Sequence, residues 1–130
     1  MKAYIVEDNN DMRFILKRLL KKNFPQITSI GESESAEKAL EEIPQTMPQL
    51  ILVDISLPGM DGIELIRRVK PRCKAAYILV VTGHELSVYR TSALQAGADD
   101  IVAKSDDGRL LDCIRHSLET LRAEGCASDR

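Results

Sequence analysis

Leu50-Ile51-Leu52-Val53-Asp54 is the stretch of sequence that decides the fold of this chain. Four consecutive apolar residues predict a short strand that is buried on both faces, and an acidic residue comes directly after it. Three further apolar runs have the same form, and polar residues follow each of them too. These runs are residues 3–6, 77–81 and 100–103, followed by Glu7 and Asp8, by Thr82 and by Lys104 respectively.

The segments between these runs carry apolar residues at helical spacing, which predicts a helix after each strand. Asn9 or Asn10 is the expected cap of the first helix. A weaker second strand is predicted over residues 27–30, closed by Gly31, and the second helix is expected to stop before Pro44. The core-facing residues predicted for the first helix are Met12, Ile15, Leu16, Leu19 and Leu20.

Five strand–helix units of this length predict a five-stranded parallel sheet with helices on both faces. Right-handed crossovers favour the doubly wound, flavodoxin-like strand order 2-1-3-4-5, in an α/β three-layer sandwich. Ligands of such folds bind outside the carboxyl ends of the strands, where the polar residues are expected to meet. The domain is predicted to cover residues 1–123, with residues 124–130 as a frayed tail.

Composition and charge narrow the possible functions. The chain has 130 residues and a net charge of −2, which argues against sequence-independent binding of nucleic acid. Its three cysteines are not closely spaced, which is typical of a reducing cytoplasm and of neither a disulfide framework nor a zinc site. We expect a cytoplasmic protein, because no signal peptide is recognisable and no apolar run approaches the roughly 20 residues that span a membrane.

The polar residues predicted at the strand ends suit one kind of chemistry. Glu7, Asp8 and Asp54 are expected to lie close together, where their negative charges raise one another's pKa. A hard divalent cation relieves this repulsion, and an all-oxygen site favours Mg²⁺ or Mn²⁺ over zinc. Lys104 offers a positive charge to phosphate oxygens, and the Thr82 hydroxyl can donate a hydrogen bond. The set predicts a site for a divalent cation and a phosphoryl group.

Four segments carry these residues in a fixed order along the chain: residues 6–8 (VED), 52–62 (LVDISLPGMDG), 81–83 (VTG) and 97–104 (GADDIVAK). This pattern resembles the receiver domain of two-component response regulators, over about residues 2–122. The resemblance implies a CheY-like fold of five strand–helix units. It also implies a phosphorelay function through protein contacts, without enzymatic action on other substrates.

The resemblance further implies a role for each matching residue. Asp54 matches the acceptor of a phosphoryl group from a histidine kinase or histidine phosphotransfer protein. Asp8 matches the direct Mg²⁺ ligand, Glu7 the acid that acts largely through metal-bound water, and Ser56 a residue that binds the metal by its backbone carbonyl. The groups that match phosphate-binding positions are Thr82, Lys104, the Gly83 backbone N–H and Ser56. Ser56 and His84 match positions that tune the rate of phosphoryl loss.

The chain departs from the family pattern at two positions. Ile101 stands where many receivers carry an aromatic switch residue, so any switching must use backbone movement or aliphatic repacking. Ser105 stands where a proline often follows the lysine, which leaves the isomer of the Lys104–Ser105 bond open. New charge on Asp54 is expected to draw in Thr82 and to change the face formed by the fourth helix, fifth strand and fifth helix. An output protein or a second copy of the chain is the expected partner there.

Two other classes of protein remain to be weighed. A phosphatase of the haloacid dehalogenase type shares the aspartyl nucleophile, the metal, the threonine and the lysine. Such enzymes need a second acid two residues after the nucleophile, however, and Ser56 occupies that position. A receiver-like scaffold without phosphorylation usually lacks an acid, the threonine or the lysine, and this chain has all of them. Phosphate incorporation is the measurement that separates a scaffold from an acceptor.

Overall fold

The computed structural model describes residues 1–83 and 86–124. Within them, strands and helices alternate along the chain, and the strands form one parallel sheet in the order β2-β1-β3-β4-β5. This confirms the predicted fold class and strand order. The elements are β1 (Lys2–Val6), α1 (Asn10–Asn23), β2 (Ser29–Ser33), α2 (Ala36–Thr46), β3 (Leu50–Val53), α3 (Gly62–Val69), β4 (Tyr77–Thr82), α4 (Leu86–Ala96), β5 (Asp100–Ala103) and α5 (Asp107–Ala123).

Helices cover both faces of the sheet, so one apolar cluster forms on each side of it. Successive strand residues point to opposite faces, and every residue of β3 and β4 is buried. One cluster packs Ile51, Val53 and Ile78 against α2, α3 and α4, and the other packs Leu50 and Leu52 against α1 and α5. Burial on both faces explains why these strands read as continuous apolar runs.

The second strand lies two to three residues later than predicted. It runs from Ser29 to Ser33, so Gly31 lies inside the strand and does not close it. Gly31 pairs with Tyr4 of β1, and a Cβ at this glycine would come within 2.7 Å of the Tyr4 ring. Close packing by that ring therefore explains the glycine, where the prediction had assumed a turn.

The second helix continues through Pro44, and the prediction that it would stop before this residue is wrong. Pro44 occupies the last turn, so the helix loses only one late hydrogen bond through the missing N–H. The turn is completed when the backbone N–H of Met47 donates to the carbonyl of Ile43 at 2.8 Å. Met47 then ends the helix with a positive φ of 50°.

The first helix begins as predicted, because the side chain of Asn9 caps it by accepting the backbone N–H of Met12 at 2.8 Å. Leu16 and Leu20 are buried, but Ile15 is 52% exposed, so its predicted place in the core is wrong. It lies beside Phe14 on the outer side of the helix, away from the sheet.

No helix in residues 1–83 or 86–124 is long and apolar enough to cross a membrane. Residues 125–130, most of the predicted tail, lie outside the described residues.

Candidate functional site

The polar residues that follow the strands meet at one edge of the sheet. The backbone N–H of Asp54 donates to the carbonyl of Val6 at 3.0 Å, one residue before Glu7. The backbone N–H of Lys104 donates to the carbonyl of Thr82 at 2.8 Å. The parallel ladders thus end at a common level, which places their polar side chains around a single cleft, as expected for this kind of sheet.

The ammonium group of Lys104 joins two buried carboxylates. Its Nζ donates to Oδ2 of Asp54 at 3.0 Å and lies 2.7 Å from Oε1 of Glu7. Burial lowers the pKa of Lys104, but the contacts with Glu7 and Asp54 outweigh it and raise this pKa overall. The lysine therefore stays charged at neutral pH and offsets part of the negative charge in the cleft.

Glu7 is the most deeply buried acid of the site, with 1% of its surface exposed. Its Oε2 accepts the backbone N–H of Asn9 at 3.1 Å. Its Oε1 meets Lys104 as an ion pair that lacks the direction of a hydrogen bond, so this oxygen receives no hydrogen bond from the described residues. Burial raises the pKa of Glu7. The contacts with Lys104 and with the Asn9 N–H lower this pKa, and the nearby charge of Asp54 raises it. Burial is the largest of these effects, and the pKa of Glu7 is raised overall.

Asp54 lies at the base of the cleft and is 4% exposed. Its Oδ1 accepts the backbone N–H of Ser56 at 3.2 Å, which turns the chain directly after β3. At Gly62, the first residue of α3, a Cβ would come within 2.1 Å of the Asp54 backbone oxygen. The helix therefore starts in direct contact with the main chain of Asp54, and only glycine permits this approach.

The remaining predicted residues surround this centre. Asp8, Ser56 and Gly83 line the open cleft together with Glu7, Asn9, Asp54 and Lys104. Carboxylate oxygens of Glu7, Asp8 and Asp54 lie within 4.8 Å of one another. An all-oxygen donor set of this kind fits a hard divalent cation. The acidic cluster can hold a metal ion.

Thr82 and Ile101 lie deeper than the rim of the cleft. Thr82 ends β4 and is fully buried, and Ile101 in β5 is fully buried within the apolar cluster that faces α3 and α4. An aliphatic side chain thus fills the switch position. The Lys104–Ser105 bond, whose isomer was left open, is trans. His84, the other residue named for rate tuning, lies outside the described residues.

The sequence did not reveal two groups that hold the site in place. Arg13 of α1 donates from Nη1 to the carbonyl oxygen of Glu7 at 2.7 Å. Glu37 of α2 accepts the backbone N–H of Met60 at 3.0 Å, which ties the loop after Ser56 to the neighbouring helix and lowers the pKa of Glu37. The signal for Arg13 was its place in the first turn of a capped helix, where a long side chain reaches back to the preceding loop.

Comparisons with known proteins agree with this geometry. The sequence matches the response regulator receiver domain over residues 3–115. Chemotaxis protein CheY of Bacillus subtilis is 31% identical over 115 residues, which cover 88% of this chain and 94% of that protein. A CheY-like receiver domain protein of Methanospirillum hungatei has a TM-score of 0.85 at 26% identity, covering 95% of this chain and 97% of the other.

The chain belongs to the response regulator receiver domain family, as the sequence pattern implied. Some relatives are much longer. Protein-glutamate methylesterase/protein-glutamine glutaminase 1 of Syntrophus aciditrophicus is 37% identical over 123 residues, which cover 88% of this chain but only 35% of that protein. The shared part is the receiver domain, whose role in two-component systems is to take part in phosphotransfer from a kinase. Because the chain belongs to this family, the alternative of a phosphatase of the haloacid dehalogenase type is excluded.

Proposed function

We propose that Asp54 is the phosphoryl acceptor of this receiver and takes the group from a histidine kinase or a histidine phosphotransfer protein. The observation that carries the proposal is the position of Lys104, whose Nζ lies 3.0 Å from Asp54 and 2.7 Å from Glu7 at the edge of an open cleft. Phosphoryl transfer depends mainly on positioning and on neutralising charge. This arrangement offers both.

The proposed cofactor is Mg²⁺, with Mn²⁺ as a substitute. The side chains of Glu7, Asp8 and Asp54 and the backbone carbonyl of Ser56 would hold it. When bound, the ion neutralises negative charge on the phosphoryl oxygens. The clustering of the three carboxylates supports this assignment.

The proposed reaction uses the carboxylate of Asp54 as the nucleophile. One carboxylate oxygen attacks phosphorus, the bond between phosphorus and the donor histidine nitrogen breaks, and its electron pair leaves with the imidazole. The negative charge then lies on the phosphoryl oxygens, where Lys104, the Thr82 hydroxyl and the Gly83 N–H would hold it. Attack of water on phosphorus later breaks the acyl phosphate and returns the carboxylate and inorganic phosphate. Ser56, which is exposed on the cleft, is proposed to affect this last rate together with His84.

The proposed output is a change in protein contacts at the face formed by α4, β5 and α5. Within this face, Arg90 lies 3.9 Å from Asp100 of the same chain. A second copy of the chain, with these residues paired across a two-fold axis, is one proposed occupant of this face, and an output protein is the other. We further propose a cytoplasmic protein whose receiver domain spans residues 1–123 and makes no direct contact with nucleic acid.

Incorporation of phosphate from acetyl phosphate tests the proposed function. The wild type is expected to take up phosphate only when Mg²⁺ is present, and Asp54→Asn is expected to abolish the uptake. Asp112→Asn is the matched control, because Asp112 is an exposed acid that pairs with Arg115 on α5, away from the cleft. Labelling that persists in Asp54→Asn would refute the assignment of the acceptor. Absence of labelling in the wild type would favour a scaffold without phosphorylation.

A further inference from the structure

Every nitrogen of the Arg13 guanidinium group has an acceptor. Nη1 donates to the carbonyl oxygen of Glu7 at 2.7 Å, and Nε donates to Oε1 of Glu32 at 3.0 Å. Nη2 donates to Oδ1 of Asn10 at 2.5 Å. The side chain is only 15% exposed. Because the guanidinium group is planar and rigid, three acceptors on the loop, on β2 and on α1 fix it in one orientation.

The carbonyl that Arg13 contacts belongs to the peptide between Glu7 and Asp8. Other polar groups of Glu7 are already held, since its backbone N–H donates to the carbonyl of Ser33 at 3.1 Å and its Oε2 accepts the N–H of Asn9. A peptide unit is planar, so the direction of its carbonyl also sets the direction of the following N–H and Cα. The contact with Arg13 therefore fixes the backbone N–H and the Cα of Asp8, from which its exposed side chain reaches the cleft.

The edge strand β2 takes part in this arrangement through Glu32. One carboxylate oxygen of Glu32 accepts from Arg13, and the other accepts from Nζ of Lys17 at 2.6 Å. Both basic residues lie on α1, but of the two it is Arg13 that donates to the loop carrying the acidic pair, whereas Lys17 pairs with Glu32. Lys17 thus provides a matched comparison, since its loss removes an ion pair with Glu32 and leaves the contact between Arg13 and Glu7 in place.

We propose that Arg13 is a positioning residue for the metal site, because it fixes the peptide between Glu7 and Asp8 so that both carboxylates face the cleft. This inference rests on the proposed function, in which these acids bind a divalent cation. It adds a residue outside the cleft, and the edge strand that holds it, to the parts that set the affinity for the metal.

Direct binding of Mn²⁺, followed by the electron paramagnetic resonance signal of the free ion, tests the role of Arg13. Arg13→Lys keeps the positive charge but cannot reach three acceptors in a fixed plane. We expect it to raise the Kd for Mn²⁺ by about three- to tenfold, at or below the low end of effects seen for groups that orient metal ligands. Lys17→Gln is expected to leave this Kd nearly unchanged. In the metal-free protein, the amide resonance of Asp8 is expected to shift in Arg13→Lys and to stay in place in Lys17→Gln.

Each alternative result has a distinct meaning. Equal Mn²⁺ affinities in the two variants, or an unmoved Asp8 resonance in Arg13→Lys, would overturn the role of Arg13 and leave the proposed function intact. A wild type that binds no Mn²⁺ would overturn the proposed metal site and this inference together. Should Arg13→Lys fail to fold, as judged by its thermal unfolding, Glu32→Ala replaces it. The inference then requires weaker Mn²⁺ binding in Glu32→Ala than in Lys17→Gln.

Discussion

Helices α3 and α4 are neighbours on the same face of the sheet, yet they are anchored very differently. In its eight residues α3 buries Gly62, Leu65, Ile66 and Val69. In its eleven residues α4 buries Ala93 alone. Two of its large apolar side chains, Val88 and Leu94, are exposed by 62% and 41%. The first helix is attached to the core by fully buried bulky side chains, whereas α4 packs Leu86 and Tyr89 against the core only as partly buried side chains.

This difference has consequences for how the proposed signal leaves the site. Full burial of a large apolar side chain contributes roughly 1.5–3 kcal/mol, so α3, which buries three of them, is more costly to displace than α4. The rigid helix begins against the main chain of Asp54, where the proposed chemistry needs fixed geometry. The weakly anchored helix follows the strand that ends in Thr82. The fold therefore places the proposed acceptor beside a firmly packed helix and next to a helix that is less deeply buried.

The largest expected effect comes from shortening a core side chain in α3. Ile66 is 1% exposed, and Ile66→Ala is expected to lower the free energy of unfolding by about 2–5 kcal/mol, because it removes buried apolar surface and leaves a cavity. Leu94→Ala on α4 is the matched control, with an expected change of about 0.5 kcal/mol or less. Urea unfolding measures both values. Similar losses in the two variants would contradict the difference in anchoring.

The sequence predicted these parts of the fold to different degrees, for physical reasons. Buried strands such as Leu50–Val53 were recognisable because burial on both faces leaves a continuous apolar run. Gly31 misled the prediction because its role depends on Tyr4, which is distant in sequence, and Pro44 misled it because a proline is tolerated in the last turn of a helix. The cleft residues followed from strand ends. Arg13 did not, since its partner Glu32 lies beyond the predicted end of the second strand.

An intermediate effect is expected when a phosphate analogue binds at Asp54. Beryllofluoride with Mg²⁺ places negative charge beside Thr82, which is expected to draw in the strand end and the segment that leads into α4. Amide resonances in Leu86–Ala96 should therefore shift more than those in Gly62–Val69, as measured by nitrogen-15 NMR. Asp54→Asn is the control and should show neither change. Larger shifts in α3 than in α4 would reverse the expected order of the two helices.

The smallest expected effect is electrostatic and concerns the exposed side of α3. Glu64 accepts hydrogen bonds from Arg68 at 2.8 Å and from Arg67 at 2.6 Å. Arg68, followed by Arg67, lowers the pKa of Glu64 in the folded protein. The pKa of Glu64 is lower in the folded state than in the unfolded chain, where it is about 4.3. These pairs therefore stabilise α3 fully at a pH above that value. This stabilisation is lost as the pH falls through the pKa of the folded protein.

A carbon-13 NMR titration of the Glu64 carboxyl group measures this pKa directly. Arg68→Gln is expected to raise it more than Arg67→Gln does, because Arg68 makes the larger contribution. Arg72→Gln, beyond the end of α3, is the control and should leave it unchanged. An equal rise in the first two variants would mean that the charge of α3 acts as a whole, without a specific pair. In that case only the buried side chains would distinguish the anchoring of α3 from that of α4.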